Sequence, residues 1–278
     1  MPERDQWEDL PAQVREAIEE KAGTVVKAEP ISEGINSDVT LVLHLRSDRL
    51  FVKGSRTDNP RRMRSLGREA VINPYVVPIS PALAFEIETA GWKLLGWEYI
   101  DGRRIDYSPG SPDIPKIVET LAWLAEIECP DLGFPELPAR MKNFTPEDDL
   151  WRFAGSGLLH TDPNPGNVRI ANGKAYLVDW ACPTRGIAWS DAAEVALCLI
   201  TCGHTPADAE RIIADLPVWR TADTTSVEIS VASTEATWTG LYPESNPDPW
   251  INATVAAARR WAAYRRDTHG STHRGAPR

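Results

Sequence analysis

Residues 158–180 read LLHTDPNPGNVRIANGKAYLVDW. An apolar pair leads into His160, and Asp162, Pro165 and Asn167 follow on a loop. Asn172-Gly173 then marks a tight hairpin turn, and the apolar strand after it ends in Asp179. A carboxylate and an amide five residues apart, with a second carboxylate carried across a hairpin, suit a cation held by oxygen ligands beside a base. Magnesium shared with a phosphate substrate fits better than a cage made of protein alone, because the protein oxygens are few and Mg²⁺ keeps water and substrate ligands. Taken alone, a hairpin and two acids are also the make-up of a solvated loop, so the rest of the chain decides.

Upstream, the pattern changes from helix to strand and back. LPAQVREAIEEKAG puts Pro11 at a helix start and Gly23 at its stop. Strand-like stretches follow at 24–31, 39–45 and 50–53, with the turn-rich Ser32-Glu33-Gly34-Ile35-Asn36-Ser37 between the first two. A helix is expected over 61–71, and strands over 82–88 and 92–100 meet at Ala90-Gly91. From about Asp101 prolines 109, 112 and 115 punctuate a loop, and helical patterns then dominate, at 114–128, 191–201, 207–216 and 253–265. The expected division is an antiparallel-sheet domain over 1–100 and a mostly helical one over 101–278, an α+β chain whose residues 267–278 lack apolar periodicity and read as a disordered tail. Thr145 reads as an N-cap ahead of first-turn acids, and Thr205 as an N-cap ahead of Pro206.

At the opening segment the sequence resembles the aminoglycoside phosphotransferase family, a branch of the bilobal protein-kinase-like fold. The family's loop has the form His-x-Asp-x-x-Pro-x-Asn, matched by His160, Asp162, Pro165 and Asn167, and Asp179 falls where the family has the metal-binding Asp of the following strand. The resemblance implies ATP as donor, with GTP left open, and Mg²⁺ held by Asn167 and Asp179. It implies that Asp162, in a catalytic loop with His160 and Asn167, orients and deprotonates an acceptor hydroxyl. Lys53, ending the strand Leu-Phe-Val-Lys-Gly, would contact phosphates and pair with Glu69, the sole acid on the next helix. Gly34 and Ser37 would meet phosphates in a degenerate loop, and the backbone of Glu98 and Ile100 would hold adenine. Asp191 would be the structural Asp opening the next helix, which is also where the helix dipole favours a carboxylate. Two features depart from the family: Pro163 and Asn164 stand where Leu and His are common, and the stretch from 128 to 160 is short.

Composition narrows the partners. With 40 Asp and Glu against 30 Lys and Arg, the net charge of −10 disfavours nucleic acid or an anionic membrane as main partner. No apolar run approaches the roughly 18 residues of a membrane helix, and the charged MPERDQWEDL start is unlike a signal peptide, so a cytoplasmic location is expected. Cys129, Cys182, Cys198 and Cys202 lack paired spacing and read as small buried hydrophobes, and Arg61, Arg62 and Arg64 as a solvated face. The acceptor, a small molecule bearing a hydroxyl, would be sorted by C-terminal residues including Asp148, Asp149, Trp189, Trp219, Glu235, Trp238 and Trp250. An aminoglycoside-like antibiotic, an amino sugar, a choline-like alcohol and a secondary metabolite all remain open, as does the oligomeric state. A non-catalytic pseudokinase that binds nucleotide is the alternative. The set Lys53, Glu69, Asp162, Asn167 and Asp179 disfavours it, and the short interval from Asp179 to Asp191 disfavours a protein kinase.

Overall fold

A computed structural model of the chain describes residues 5–31, 37–242 and 246–269, so Gly34 lies outside the described residues. The chain divides into two units, Met1–Gly102 with Val178–Cys182, and Arg103–Leu177 with Pro183–Arg278.

The first unit is an antiparallel sheet. β1 (Lys27–Pro30), β2 (Val39–His44), β3 (Arg49–Arg56), β4 (Leu83–Thr89) and β5 (Trp92–Glu98) stand in the order β1-β2-β3-β5-β4. Strand periodicity sends Val39, Leu41, Leu43, Leu50, Val52 and Leu94 to one face. There they pack with Val14 and Ile18 of α1 (Ala12–Ala22). The opposite face carries Leu95 and Trp97, which meet Leu66 and Ala70 of α2 (Pro60–Val76). β2 is covered on both sides, which explains why its run VTLVLH is almost wholly apolar. Gly96 is required by packing: a Cβ there would lie 2.4 Å from the Phe85 ring.

α2 starts where Asn59 caps it, its side chain accepting from Arg62 N–H at 3.2 Å, and it runs through Pro74 to Val76, five residues beyond the expected end. Burial of Ile72, Asn73 and Val76 explains the extension. Asn73 also donates to the Pro81 carbonyl and accepts from Leu83 N–H, each at 2.8 Å, fastening the helix end to β4.

The second unit holds α3 (Ile114–Leu124), α4 (Leu137–Met141), α5 (Ser190–Thr201), α6 (Pro206–Ile213), α7 (Pro217–Arg220), α8 (Thr224–Leu241) and α9 (Pro249–His269). Two small antiparallel ladders accompany them: β6 (Arg103–Arg104) with β8 (Val168–Ala171) and β9 (Lys174–Leu177), and β7 (Gly157–Leu159) with β10 (Thr184–Gly186). The turn joining β8 to β9 has both central residues at positive φ, Asn172 at 50° and Gly173 at 76°, as Asn-Gly predicts. Thr205 caps α6 as expected, accepting from Asp208 N–H. Thr145 does not cap the segment after it; its hydroxyl bonds Ser233 on α8 at 2.8 Å, and residues 147–153 form a 3₁₀ turn. Helix α9 continues through His269, so residues 267–269 are helical rather than part of a disordered tail. No described helix is long and apolar enough to cross a membrane.

Candidate active site

In the first unit the site is built on regular elements. β3 alternates, so Lys53 lies on the face shared with Leu95, and α2 places Glu69 beside Leu66 and Ala70 on its sheet-facing side. The Lys53 Nζ donates to Glu69 Oε2 at 3.0 Å and to Asp179 Oδ1 at 2.8 Å. Asp179 arrives just after β9 in a left-handed conformation, φ 67°, which turns its carboxylate toward the lysine. Burial works against the Lys53 charge, yet the two carboxylates outweigh it and hold the ammonium above its ordinary value. Burial raises Glu69 to about 7, opposed by Lys53 and reinforced by Asp179. One ammonium thus serves two carboxylates, an excess of negative charge that a divalent cation can offset. Two of the three ammonium donors are engaged, which leaves geometry for a phosphate oxygen.

In the second unit the site is a loop held from several sides. Asp191, the second residue of α5, is buried and accepts from the backbone N–H of His160 and of Thr161, both at 2.7 Å. Thr161 is β-branched and sits at φ 69°, a strained conformation that persists only when its surroundings enforce it. Arg140 helps, donating to the Thr161 hydroxyl at 2.8 Å and to that of Thr184 at 2.6 Å. The Tyr107 hydroxyl donates to the Pro163 carbonyl at 2.8 Å. His160, only 2 % exposed, accepts from Asp162 N–H through Nδ1 at 3.3 Å, so the structure places it as a support for the loop.

At the loop's centre the Asp162 carboxylate accepts from Asn164 Nδ2 at 2.6 Å and from Asn167 Nδ2 at 3.0 Å. The Asn167 nitrogen also donates to the Asp162 carbonyl at 3.0 Å, so its Oδ1 faces the other way and is the atom suited to a hard cation. Asn164, a departure from the family pattern, makes its own turn by accepting from Gly166 N–H at 2.7 Å. Burial raises the Asp191 carboxyl to about 6 against its two backbone bonds. Burial, then the Asp191 and Asp162 carboxylates, push half-buried Glu194 up to about 8.

The remaining residues chosen from the sequence make local contacts. The Ser37 hydroxyl bonds Thr40 Oγ1 at 2.7 Å. Glu98 ends β5 with its N–H donated to the Ala82 carbonyl at 2.9 Å, and the Ile100 carbonyl accepts from Gly102 N–H. Arg62 is not part of a solvated face: it pairs with Asp38, which also accepts from Arg56 N–H and so binds the start of β2 to α2. Cys129 and Cys198 are buried as expected, but Cys202 is half-buried and Cys182 exposed, which corrects the expectation for those two. Asp149 pairs with Arg152, Glu235 with Arg266, and Trp238 stacks on Tyr242. Asp113, unmarked in the sequence reading, is buried and takes both terminal nitrogens of Arg103, which holds its carboxyl well below the usual range and fixes the loop before α3.

No family model matches the sequence, and no curated protein matches it. Solved structures do. A thermostable mutant of aminoglycoside phosphotransferase APH(4)-Ia, in ternary complex with AMP-PNP and hygromycin B, is similar with a TM-score of 0.60 at 14% identity, over 94% of this chain and 100% of that one. A choline/ethanolamine kinase family protein from Mesorhizobium loti gives 0.58 at 14% identity, over 94% and 96%. Choline kinase LicA from Streptococcus pneumoniae gives 0.56 at 14% identity, over 91% and 98%. The five-stranded antiparallel sheet with its α2 glutamate, the helical second unit and these likenesses together assign the chain the protein-kinase-like fold found in aminoglycoside phosphotransferases and choline kinases.

Proposed function

We propose that the chain is an ATP- and Mg²⁺-dependent phosphotransferase that moves the γ-phosphoryl group to a hydroxyl of a small molecule. The observation that carries this reading is Lys53 bridging Glu69 and Asp179, because a buried lysine shared by two carboxylates is costly to build and matches the needs of a metal–phosphate ligand. Lys53 binds phosphate oxygens while Glu69 keeps it in place. Asp179 and the Asn167 Oδ1 are the oxygen donors that suit Mg²⁺, which when bound neutralises charge on the phosphates. Asp162 orients the acceptor hydroxyl and takes its proton as the new phosphate ester forms. The two amide bonds from Asn164 and Asn167 fix the direction of that carboxylate, and Asp191 fixes the backbone beneath it. At the adenine, the Glu98 carbonyl is the group offered, since its N–H is already bonded.

The test is Asp162→Asn. It keeps size and removes the basic oxygen, so Mg²⁺-ATP binding measured by calorimetry should stay near wild type while phosphate transfer, screened across a panel of small alcohols or followed as slow ATP hydrolysis, falls about 10²–10⁴-fold. Transfer that survives the substitution would remove Asp162 from its role. Nucleotide binding without any transfer by the wild type would favour the pseudokinase.

A further inference from the structure

Helix α2 has one side that the fold uses and one that it leaves open. Leu66, Glu69, Ala70, Asn73 and Val76 turn inward and are buried. On the outer side Arg64, Arg68, Val71 and Tyr75 recur at intervals of four, three and four residues, a spacing that lines them up in one narrow seam. Arg64 is exposed and Arg68 half-buried, while Val71 and Tyr75 stand at 47% and 45% exposure, and Val77, just past the helix end, at 40%. Among the described residues seven large apolar side chains are exposed; these three are neighbours, and the other four lie apart in the sequence. Apolar side chains exposed singly need no explanation, whereas a cluster marks a contact surface.

Two features of this side disfavour the helix and gain nothing within the chain. Arg61 stands in the first turn and Arg64 directly after it, with no acid in that turn, where the positive end of the helix dipole opposes a cation. The guanidinium groups of Arg61, Arg64 and Arg68 have no carboxylate or hydrogen-bond partner among the described residues, although acids outnumber basic residues 40 to 30; their neighbour Arg62 is paired with Asp38. The second feature is Gly67, a poor helix former in mid-helix. A Cβ there would meet no atom within 4 Å, so packing in this chain does not require a glycine. It lies beside the seam, three residues after Arg64 and four before Val71, and leaves room for another backbone to come close.

We infer that the outer side of α2 docks an acidic amphipathic helix of a partner protein. The partner's apolar side chains cover Val71 and Tyr75, its carboxylates face Arg61, Arg64 and Arg68, and its backbone approaches over Gly67. Tyrosine and arginine are the residue types that dominate the energetics of such contacts. Nucleic acid fits less well, because the net charge of −10 opposes it and a polyanion leaves the apolar half of the seam uncovered. A membrane surface fits less well too: it favours a wide apolar face bordered by cations, and here arginine and apolar residues share one seam. The inference does not depend on the phosphotransferase reading.

The experiment titrates the full chain with a fluorescein-labelled three-heptad peptide, Leu at its two seam positions and Glu at the positions flanking them, by fluorescence anisotropy at low ionic strength. The same peptide with Lys in place of Glu is run in parallel. Wild type is expected to bind the acidic peptide and not the basic one. Arg64→Glu should weaken binding by at least about tenfold, Gly67→Trp by a similar factor because the indole fills the approach, and Tyr75→Ala severalfold. Lys174→Glu, a reversal of equal size at an exposed position of β9, should leave it nearly unchanged. Thermal midpoints close to wild type report intact folds, and should Gly67→Trp fail that control, Arg64→Glu and Tyr75→Ala carry the comparison. Failure of the acidic peptide to bind, equal binding of the basic peptide, or equal weakening by Arg64→Glu and Lys174→Glu would each overturn the inference. In place of peptide binding, Arg64-dependent attachment to phosphatidylglycerol–phosphatidylcholine vesicles would make this side a membrane surface, and self-association abolished by Tyr75→Ala would make it a contact between copies of the chain; either result overturns the inference as well.

Discussion

The two halves of the candidate machinery are held in place by different physics. In the first unit, Lys53 and Glu69 project from a strand and a helix whose own hydrogen bonds set their positions, and side-chain charge does the joining. In the second unit, the Asp162 loop has no regular structure of its own. A carboxylate thirty-one residues after His160 and a tyrosine hydroxyl hold its backbone, an arginine holds the Thr161 hydroxyl, and Thr161 is kept in a strained conformation. A site of the first kind is sensitive to loss of charge; one of the second kind is sensitive to loss of backbone support.

The largest effect on stability should come from breaking the first. Lys53→Met strands the buried Glu69 carboxylate and takes the cation from half-buried Asp179, and is expected to cost about 3–5 kcal/mol in denaturant unfolding at pH 7. Adding Glu69→Gln removes one of the stranded charges and should recover a substantial part of that loss. If Lys53→Met unfolds at the wild-type midpoint, the ion pairs contribute nothing and the contrast between the two units fails.

A smaller effect should come from the loop. Asp191→Asn keeps the size, but it replaces one of the two acceptor oxygens with a donor facing a backbone N–H, for a cost of roughly 2–3 kcal/mol and a fall in kcat with little change in ATP binding. Thr161→Gly sharpens the comparison, because glycine adopts φ near 69° without strain and should return part of the loss when combined with Asp191→Asn. Absence of any recovery would show that backbone strain is not what Asp191 counters.

The same contrast explains what could be read in the sequence. Lys53 and Glu69 were legible through the resemblance, as a lysine at a strand end and the sole acid on the next helix, and the expected ion pair is present because alternation over β3 and the 3.6-residue period of α2 bring them to facing surfaces. The Asn172-Gly173 hairpin was equally legible from turn chemistry. The oxygen donors of the loop were legible from their types and spacing and their roles from the family motif, but nothing local in Thr161-Asp162-Pro163 announces a strained φ or a partner on α5. Helix α8 escaped because its buried face is Ser226, Ser230, Ser233 and Thr234 as much as Val227 and Val231, so apolar periodicity is faint where small residues pack. Arg62 and Asp113 escaped for a related reason, since a charge run and a proline-rich loop say nothing of the partner folded against them.

The smallest effect separates the units by pH. Glu194 lies three residues after Asp191 on α5, and burial with the Asp191 and Asp162 carboxylates raises it to about 8. Below the ordinary carboxylate range the group is protonated in both folded and unfolded chains, so its contribution to stability is then intact. As pH rises from about 4.5 toward 8 the unfolded chain releases the proton while the folded chain retains it, and stability is lost over that window; above 8 both states are ionised and the loss is complete. Glu194→Gln removes this dependence. Thermal unfolding of the full chain should therefore show the variant matching wild type near pH 4.5 and exceeding it at pH 8 by roughly 1–2 kcal/mol, a modest figure because solvent reaches the side chain in part. Glu69 also titrates near 7, but it is present in both proteins and cancels in the difference. Parallel pH profiles for the two proteins would mean that Glu194 is ionised in the folded chain at neutral pH, and that the acidic cluster beneath the loop is better hydrated or better paired than the geometry around Asp191 indicates.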